Sequence, residues 1–130
     1  MGDPGRLTAL SRSIDGAVAI VTGAASGMGR ATAHLFADEG AKVVVADLGA
    51  DRVAAVVEEI RAVHGDDRAS GVECDVADHA QLRSLVDATV AWGGRLDIVI
   101  NNAGVSLVTS AFQDEAEFED NWARTLDVNL

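Results

Sequence analysis

The stretch Thr22-Gly23-Ala24-Ala25-Ser26-Gly27-Met28-Gly29 decides how the chain is read, because it separates an apolar run from an amphipathic one. Before it stands Ala17-Val18-Ala19-Ile20-Val21-Thr22, a run of strand length with no polar side chain until its last residue. After it Met28, Ala31, Thr32, Leu35 and Phe36 recur at helical spacing, which predicts a helix with those residues on its buried face, closed by Gly40. A strand that turns through three glycines into a helix suits one task well. Gly23 permits a tight turn, Gly27 lets backbone approach a ligand, and Gly29 lets the helix pack near the sheet. Free N–H groups in the first helical turn then form an anion site suited to a pyrophosphate, with the Ser26 hydroxyl as a further donor. Glycines also simply end strands and start helices, and that plainer reading stands beside the ligand one. No Gly-rich stretch is followed by Lys-Ser or Lys-Thr, which argues against a Walker-type triphosphate loop.

The same alternation continues along the chain. Lys42-Val43-Val44-Val45-Ala46-Asp47 reads as a second strand. Val53, Val56, Val57, Ile60 and Val63 place a second helix over about Asp51 to His64. Ser70 to Asp75 is a third strand, identified mainly by its place in the pattern. Asp78 is a suitable N-cap for a third helix with Leu82, Leu85, Val86, Thr89 and Trp92 inward. Leu96 to Ile100 is a fourth strand, and Asp114, Glu115 and Glu117 open a last helix reaching toward Leu130. Parallel strands need crossovers of this length, so the fold is an α/β, doubly wound (Rossmann) parallel sheet in strand order 3-2-1-4, incomplete, with helices on both faces. Residues 1–13 are expected to be a loose lead-in and 14–130 a partial dinucleotide-binding domain.

Composition narrows the partners. With 48% hydrophobic and only 4% aromatic residues, the core must be built from Val, Ala, Leu and Ile. The 21 acidic against 10 basic residues give a formal charge of -11, which disfavours nucleic acid and anionic lipid. A dinucleotide is not disfavoured, because backbone N–H groups can hold its phosphates locally. No apolar run reaches the ~18 residues that span a bilayer, and MGDPGRLTALSRS lacks the apolar stretch of a secretory signal. With a single Cys74, the expectation is a cytoplasmic protein that binds neither membrane nor nucleic acid.

Further candidate residues lie at the strand ends. Asp47, at the end of the second strand, can accept both hydroxyls of an adenine ribose and would repel a 2′-phosphate, and Leu48 adds no positive charge; NAD is therefore expected over NADP. Asp47 as a cap of the following turn is the competing reading. The Asp75 carboxylate can accept from an adenine amino group, with Val76 packing on the ring, although turn capping explains Asp75 nearly as well. Asn101-Asn102-Ala103-Gly104 follows the fourth strand, where amides can tie loops together and small residues let a ligand approach. Ser106, Thr109 and Ser110 read as solvent-facing loop residues. His34, His64 and His79 follow no metal-ligand spacing and read as surface histidines. Phe118, Trp92 and Trp122 read as anchors of helix to sheet. Lys42, the only lysine, precedes the second strand, away from any nicotinamide end.

Taken together, TGAASGMG at 22–29, Asp47, CDV at 74–76, NNAG at 101–104 and VNL at 128–130 resemble the short-chain dehydrogenase/reductase family over nearly the whole chain. The resemblance implies that Gly23, Ser26, Gly27, Met28 and Gly29 cradle the pyrophosphate of NAD, that Asp47 and Leu48 set its preference, and that Asp75 and Val76 contact adenine. It also implies that Asn101, Ala103 and Gly104 line the cofactor cleft and that Asn129 is the asparagine that helps hold a water in a proton relay. The family's substrates are alcohols and ketones, and its members often form homo-oligomers through the last helix present here.

The family's Ser, Tyr and Lys, which polarise the substrate and move its proton, belong to later elements, and this chain contains no Tyr. Family members are about twice this length. The expectation is an NAD-dependent oxidoreductase present as its cofactor-binding half, inactive alone, with an open edge at Ile98 to Ile100 where a further strand would pair. Two alternatives are a non-catalytic dinucleotide-binding module and a non-enzymatic interaction protein that pairs through that edge.

Overall fold

The computed structural model describes residues 5–105 and 113–129. Its elements run β1 (Val18–Thr22), α1 (Gly27–Asp38), β2 (Lys42–Asp47), α2 (Ala50–His64), β3 (Ala69–Glu73), α3 (His79–Gly93), β4 (Ile98–Ile100) and α4 (Glu115–Asn129). The strands form one sheet in the order β3-β2-β1-β4, and every pairing is parallel. This is the expected doubly wound arrangement.

Alternation along the central strands explains the two layers. Val43 and Val45 face one side with Val21, packing on Ala33 and Ala37 of α1 and on Val53, Val56, Val57 and Ile60 of α2. Val44 and Ala46 face the other side with Ile20, against Leu85 of α3 and Cys74. All five residues of β1 are buried, as a parallel strand covered on both faces requires. Each fully buried Val or Ile contributes about 1.5–3 kcal/mol, so the sheet centre carries much of the core stabilisation.

Local chemistry fixes the helix ends. Asp78 caps α3, its Oδ1 accepting from the N–H groups of Ala80 at 2.9 Å and Gln81 at 3.2 Å. Those bonds hold the Asp78 carboxyl below its ordinary pKa, the Gln81 N–H being the largest cause. Asp114 Oδ1 accepts from Glu117 N–H at 2.9 Å, which opens α4 as the acidic cluster predicts.

Some faces differ from expectation. α1 buries Gly29, Ala33 and Ala37, while Met28 is 79% exposed and Leu35 also faces solvent. The helix starts so close to the glycine turn that its small-residue stripe lies against the sheet, while Phe36 packs partly on the core as expected. In the same way Val63 and Val86 are exposed, outside the inward stripes of α2 and α3. Trp92 does pack partly on the core, with Lys42 Nζ 4.4 Å from its ring centroid. Phe118 and Trp122 are not anchors to the sheet: they form an exposed stripe with Leu126 along α4, and no residue of that helix is buried.

β3 and β4 are the outer strands among the described residues. β4 is shorter than expected; Asp97 just before it donates its N–H to the Val18 carbonyl at 2.9 Å and accepts through Oδ2 from Val18 N–H at 2.8 Å. Val99 is 47% exposed, so the flank of β4 is apolar and open. No helix among the described residues is long and apolar enough to cross a membrane. Ser106, Thr109, Ser110 and Leu130 lie outside the described residues.

Candidate cofactor site

At the carboxyl ends of β1, β2 and β3 a cavity of about 450 Å³ opens, within the range of about 300–1,000 Å³ common for small-molecule sites. Gly23, Ser26, Met28, Asp47, Leu48, Asp75, Val76, Ala103 and Gly104 all line it. The topology brings them together, because loops after parallel strands gather at one sheet edge.

The glycine turn is built by contact as well as by conformation. Gly23 has φ +64°, and a Cβ there would lie 2.9 Å from Ala103 Cα. At Gly29 a Cβ would lie 2.1 Å from the Gly23 carbonyl oxygen and 2.5 Å from Asn102 Nδ2. Gly27 differs: its φ is +58° but its Cβ position meets nothing within 4 Å. Gly29 and Gly23 therefore close the turn, whereas Gly27 leaves open space in front of the start of α1.

That helix start is also electrostatically unfilled from within. Ser26 occupies the N-cap position without a side-chain capping bond, and the first turn of α1 holds no acidic residue. α3 has Asp78 at its cap, and the first turns of α2 and α4 hold acids. An N-terminus with partial positive charge and neither device is suited to an external anion.

Asp47 stands across from it. Its Oδ2 accepts from Ala25 N–H at 3.0 Å and its Oδ1 from Leu48 N–H at 2.7 Å. These bonds are those of the turn-capping reading: Asp47 pins the glycine turn to β2 and caps the next turn. A carboxylate has about four acceptor positions, so capacity remains for hydroxyl donors.

Asp75 lies two residues beyond β3 and is not free. Its Oδ1 accepts from Ala77 N–H at 3.0 Å, and Arg124 of α4 reaches Oδ2 at 3.2 Å. The turn-capping reading holds, and Arg124 adds a charge partner that sequence reasoning missed. Neighbouring Cys74 is 2% exposed; burial pushes its thiol pKa up, with Asp75 and Asp78 adding to the effect.

The asparagines divide their work differently from the expectation. Asn102, not Asn101, lines the cavity, and its Nδ2 donates to the Gly23 carbonyl at 3.3 Å. Successive side chains of an extended segment point to opposite sides, which puts Asn101 into a separate cavity of about 280 Å³ beside Thr22, Val76 and Asn129. Asn129 is clasped to the loop after β4: Val105 N–H donates to its Oδ1 at 2.8 Å, and its Nδ2 donates to the Val105 carbonyl at 2.7 Å. Gly104 leaves room for that amide, since a Cβ would lie 3.3 Å from Asn129 Oδ1.

Two further residues escaped the sequence reading. Thr22, 3% exposed, accepts through Oγ1 from the N–H groups of Asn102 at 3.1 Å and Ala103 at 3.0 Å and donates to the Ile100 carbonyl at 3.3 Å. A hydroxyl at the end of an otherwise apolar strand was the available signal. Arg52, in the first turn of α2, also lines the cavity, and its Nη2 donates to Ser26 Oγ at 3.3 Å. Leu48 adds no positive charge, but Arg52 brings one to the cavity that Asp47 and Leu48 also line.

The histidines remain outside the cavity. His34 pairs with Glu59 and His64 with Asp38, each at 2.7 Å, and no group of metal-ligating side chains occurs among the described residues.

Comparison with known proteins supplies the family. The family model described as short chain dehydrogenase matches residues 17–130. D-threitol dehydrogenase of Mycolicibacterium smegmatis is 42% identical over 117 residues, which cover 90% of this chain and 43% of that protein. A crystal structure of a short chain dehydrogenase/reductase from Burkholderia phymatum in complex with NAD superposes with a TM-score of 0.81 at 36% identity, covering 91% of this chain and 40% of that one. A blue fluorescent protein from a metagenomic library, in complex with NADPH, superposes with a TM-score of 0.79 at 30% identity, covering 92% and 47%. The chain thus spans less than half the length of these relatives. Sheet order, glycine turn and matched span agree, and the chain belongs to the short-chain dehydrogenase family.

Proposed function

We propose that residues 14–130 form the dinucleotide-binding part of an oxidoreductase acting on an alcohol or ketone, with NAD as its preferred cofactor. The carrying observation is the pairing, across one cavity, of an uncapped helix start with the Asp47 carboxylate, joined by the Ala25 N–H bond at 3.0 Å. The residues present fit the group: Gly27 leaves open space where a Cβ would intrude, and the cavity offers N–H donors at one side and a carboxylate acceptor at the other.

In this reading the first turn of α1, from Ser26 to Gly29, holds the pyrophosphate, and Asp47 accepts from the adenine ribose. Leu48, Val76 and Asp75 form the adenine end, where Asp75 shares its acceptor positions with Arg124. Ala103 and Gly104 line the cleft beyond Gly23, and Thr22 and Asn102 hold that loop in place. When bound, the nicotinamide supplies a two-electron acceptor or donor for hydride.

Asn129 is assigned to the proton-relay end, although its side-chain amide is already engaged with Val105. The proton-transferring Tyr that the family resemblance implies is not among these 130 residues, so the chain by itself is assigned binding without turnover. The exposed stripe Phe118, Trp122 and Leu126 supports a homo-oligomer through α4.

Calorimetric titration with NAD tests the reading. The full-length protein should bind it, and Asp47→Ala should weaken binding by about tenfold, the effect of losing hydrogen bonds to a charged acceptor. The 130-residue chain should show no alcohol- or ketone-dependent change in NADH absorbance. A folded full-length sample that fails to bind NAD would refute the cofactor assignment, and turnover by the purified 130-residue chain would refute the inactivity.

A further inference from the structure

We infer that Arg52 sets how the site treats a phosphorylated adenine ribose, so that NADP is admitted, more weakly than NAD, although Asp47 opposes it. The inference rests on the proposed reading of the cavity as a dinucleotide site.

Two cations line this cavity, Arg52 and Arg124. Arg124 is committed to Asp75 at 3.2 Å. Arg52 forms no ion pair among the described residues, although acidic residues outnumber basic ones by 21 to 10. Its one polar contact there is the bond to Ser26 Oγ at 3.3 Å. That contact carries the guanidinium from α2 across to the glycine turn, and the side chain passes Gly49, whose Cβ position lies 3.5 Å from Arg52 Cδ. The guanidinium is thus an uncompensated fork on the same rim as Asp47 and Leu48.

A phosphate on the 2′-oxygen would emerge where the ribose meets Asp47. Leu48 N–H, the neighbouring backbone donor, is already engaged with Asp47 Oδ1 at 2.7 Å. Arg52 is the cation of that cavity without an ion pair among the described residues, and a planar guanidinium matches phosphate oxygens in pairs. Releasing the neutral Ser26 hydroxyl sacrifices a long bond for a charge-assisted one. Asp47 and Arg52 then act as opposed determinants: the carboxylate favours free ribose hydroxyls, and the guanidinium offsets its repulsion of a phosphate.

Titration of the full-length protein with NAD, NADP, AMP and 2′,5′-ADP tests this, with circular dichroism to establish folding. For the wild type, NADP should bind more weakly than NAD, but by no more than about tenfold. Arg52→Ala should weaken NADP and 2′,5′-ADP by about tenfold while leaving NAD and AMP unchanged; Arg52→Lys, which keeps the charge and loses the fork, should fall between. Equal weakening of NAD and NADP by Arg52→Ala would assign the arginine to the pyrophosphate and overturn the inference. So would an absence of change with both, or a wild type that binds NAD and rejects NADP. Binding of neither dinucleotide by a folded wild type would instead remove the underlying reading.

Discussion

Replacing Gly29 with alanine separates the two roles assigned to the glycine turn. The new methyl carbon would start 2.1 Å from the Gly23 carbonyl oxygen and 2.5 Å from Asn102 Nδ2. The first obstacle is backbone and cannot rotate away, so the overpacking cost belongs at the upper end of about 1–3 kcal/mol. Displacing Asn102 also disrupts its 3.3 Å bond to that carbonyl, worth about 1 kcal/mol. Alanine's better helix propensity returns about 1 kcal/mol. Gly29→Ala should therefore destabilise the protein by about 3 kcal/mol, and the loosened turn should bind NAD more weakly. Gly27→Ala is the control. Its methyl meets nothing within 4 Å but must adopt φ +58°, which costs about 1–2 kcal/mol. Urea unfolding of the three proteins, with midpoints and slopes fitted together, measures the difference. If Gly29→Ala costs no more than Gly27→Ala, close packing is not what requires glycine at position 29.

Thr22→Val should cost about 1–2 kcal/mol, since it takes the Thr22 acceptor from the Ala103 N–H and leaves the Asn102 N–H with the Ile100 carbonyl alone. Thr22→Ser should recover most of that loss in the same unfolding assay, and equal losses for both variants would argue against the hydroxyl's role. The Asp97 carboxyl is held below its ordinary pKa, chiefly by the Arg95 hydrogen bond and then by Val18 N–H. A group with a folded-state pKa below the unfolded value stabilises fully above that unfolded value, about 3.9 for Asp, and loses the effect as pH falls through the folded one. Asp97→Asn keeps an oxygen for Val18 and removes the titration, so its stability should fall less steeply than the wild type's in acid. Unfolding series from pH 7 down to below about pH 3.9, where the contribution is lost, compare the two slopes, and parallel lines would refute the assignment. Asp78 and Glu59 are lowered in the same sense, so some acid sensitivity should persist in the variant.

The alternation of elements and the Asp78 cap were legible because each depends on residues near one another in the chain, and strand order followed from the rules that govern parallel crossovers. The buried face of α1 was not, because Gly29, Ala33 and Ala37 carry little hydrophobic signal compared with Met28 and Leu35. Proximity to the turn, rather than side-chain hydrophobicity, selects that face. The choice between Asn101 and Asn102 depends on the parity of one extended residue, which motif spacing cannot supply. Arg52 and Arg124 enter the cavity from α2 and α4 by the reach of long side chains, a three-dimensional fact with no local pattern. The stripe Phe118, Trp122 and Leu126 was correctly placed on a helix, but periodicity does not say whether a sheet covers it.

The clasp between Asn129 and Val105 imitates a single rung of sheet pairing with a side chain in place of a second strand. Donor and acceptor of one amide meet acceptor and donor of one residue, so sliding the loop along α4 breaks both bonds together. Movement at Val105 is consequently discrete: the segment is either latched to the helix or released from it, with no graded slip between.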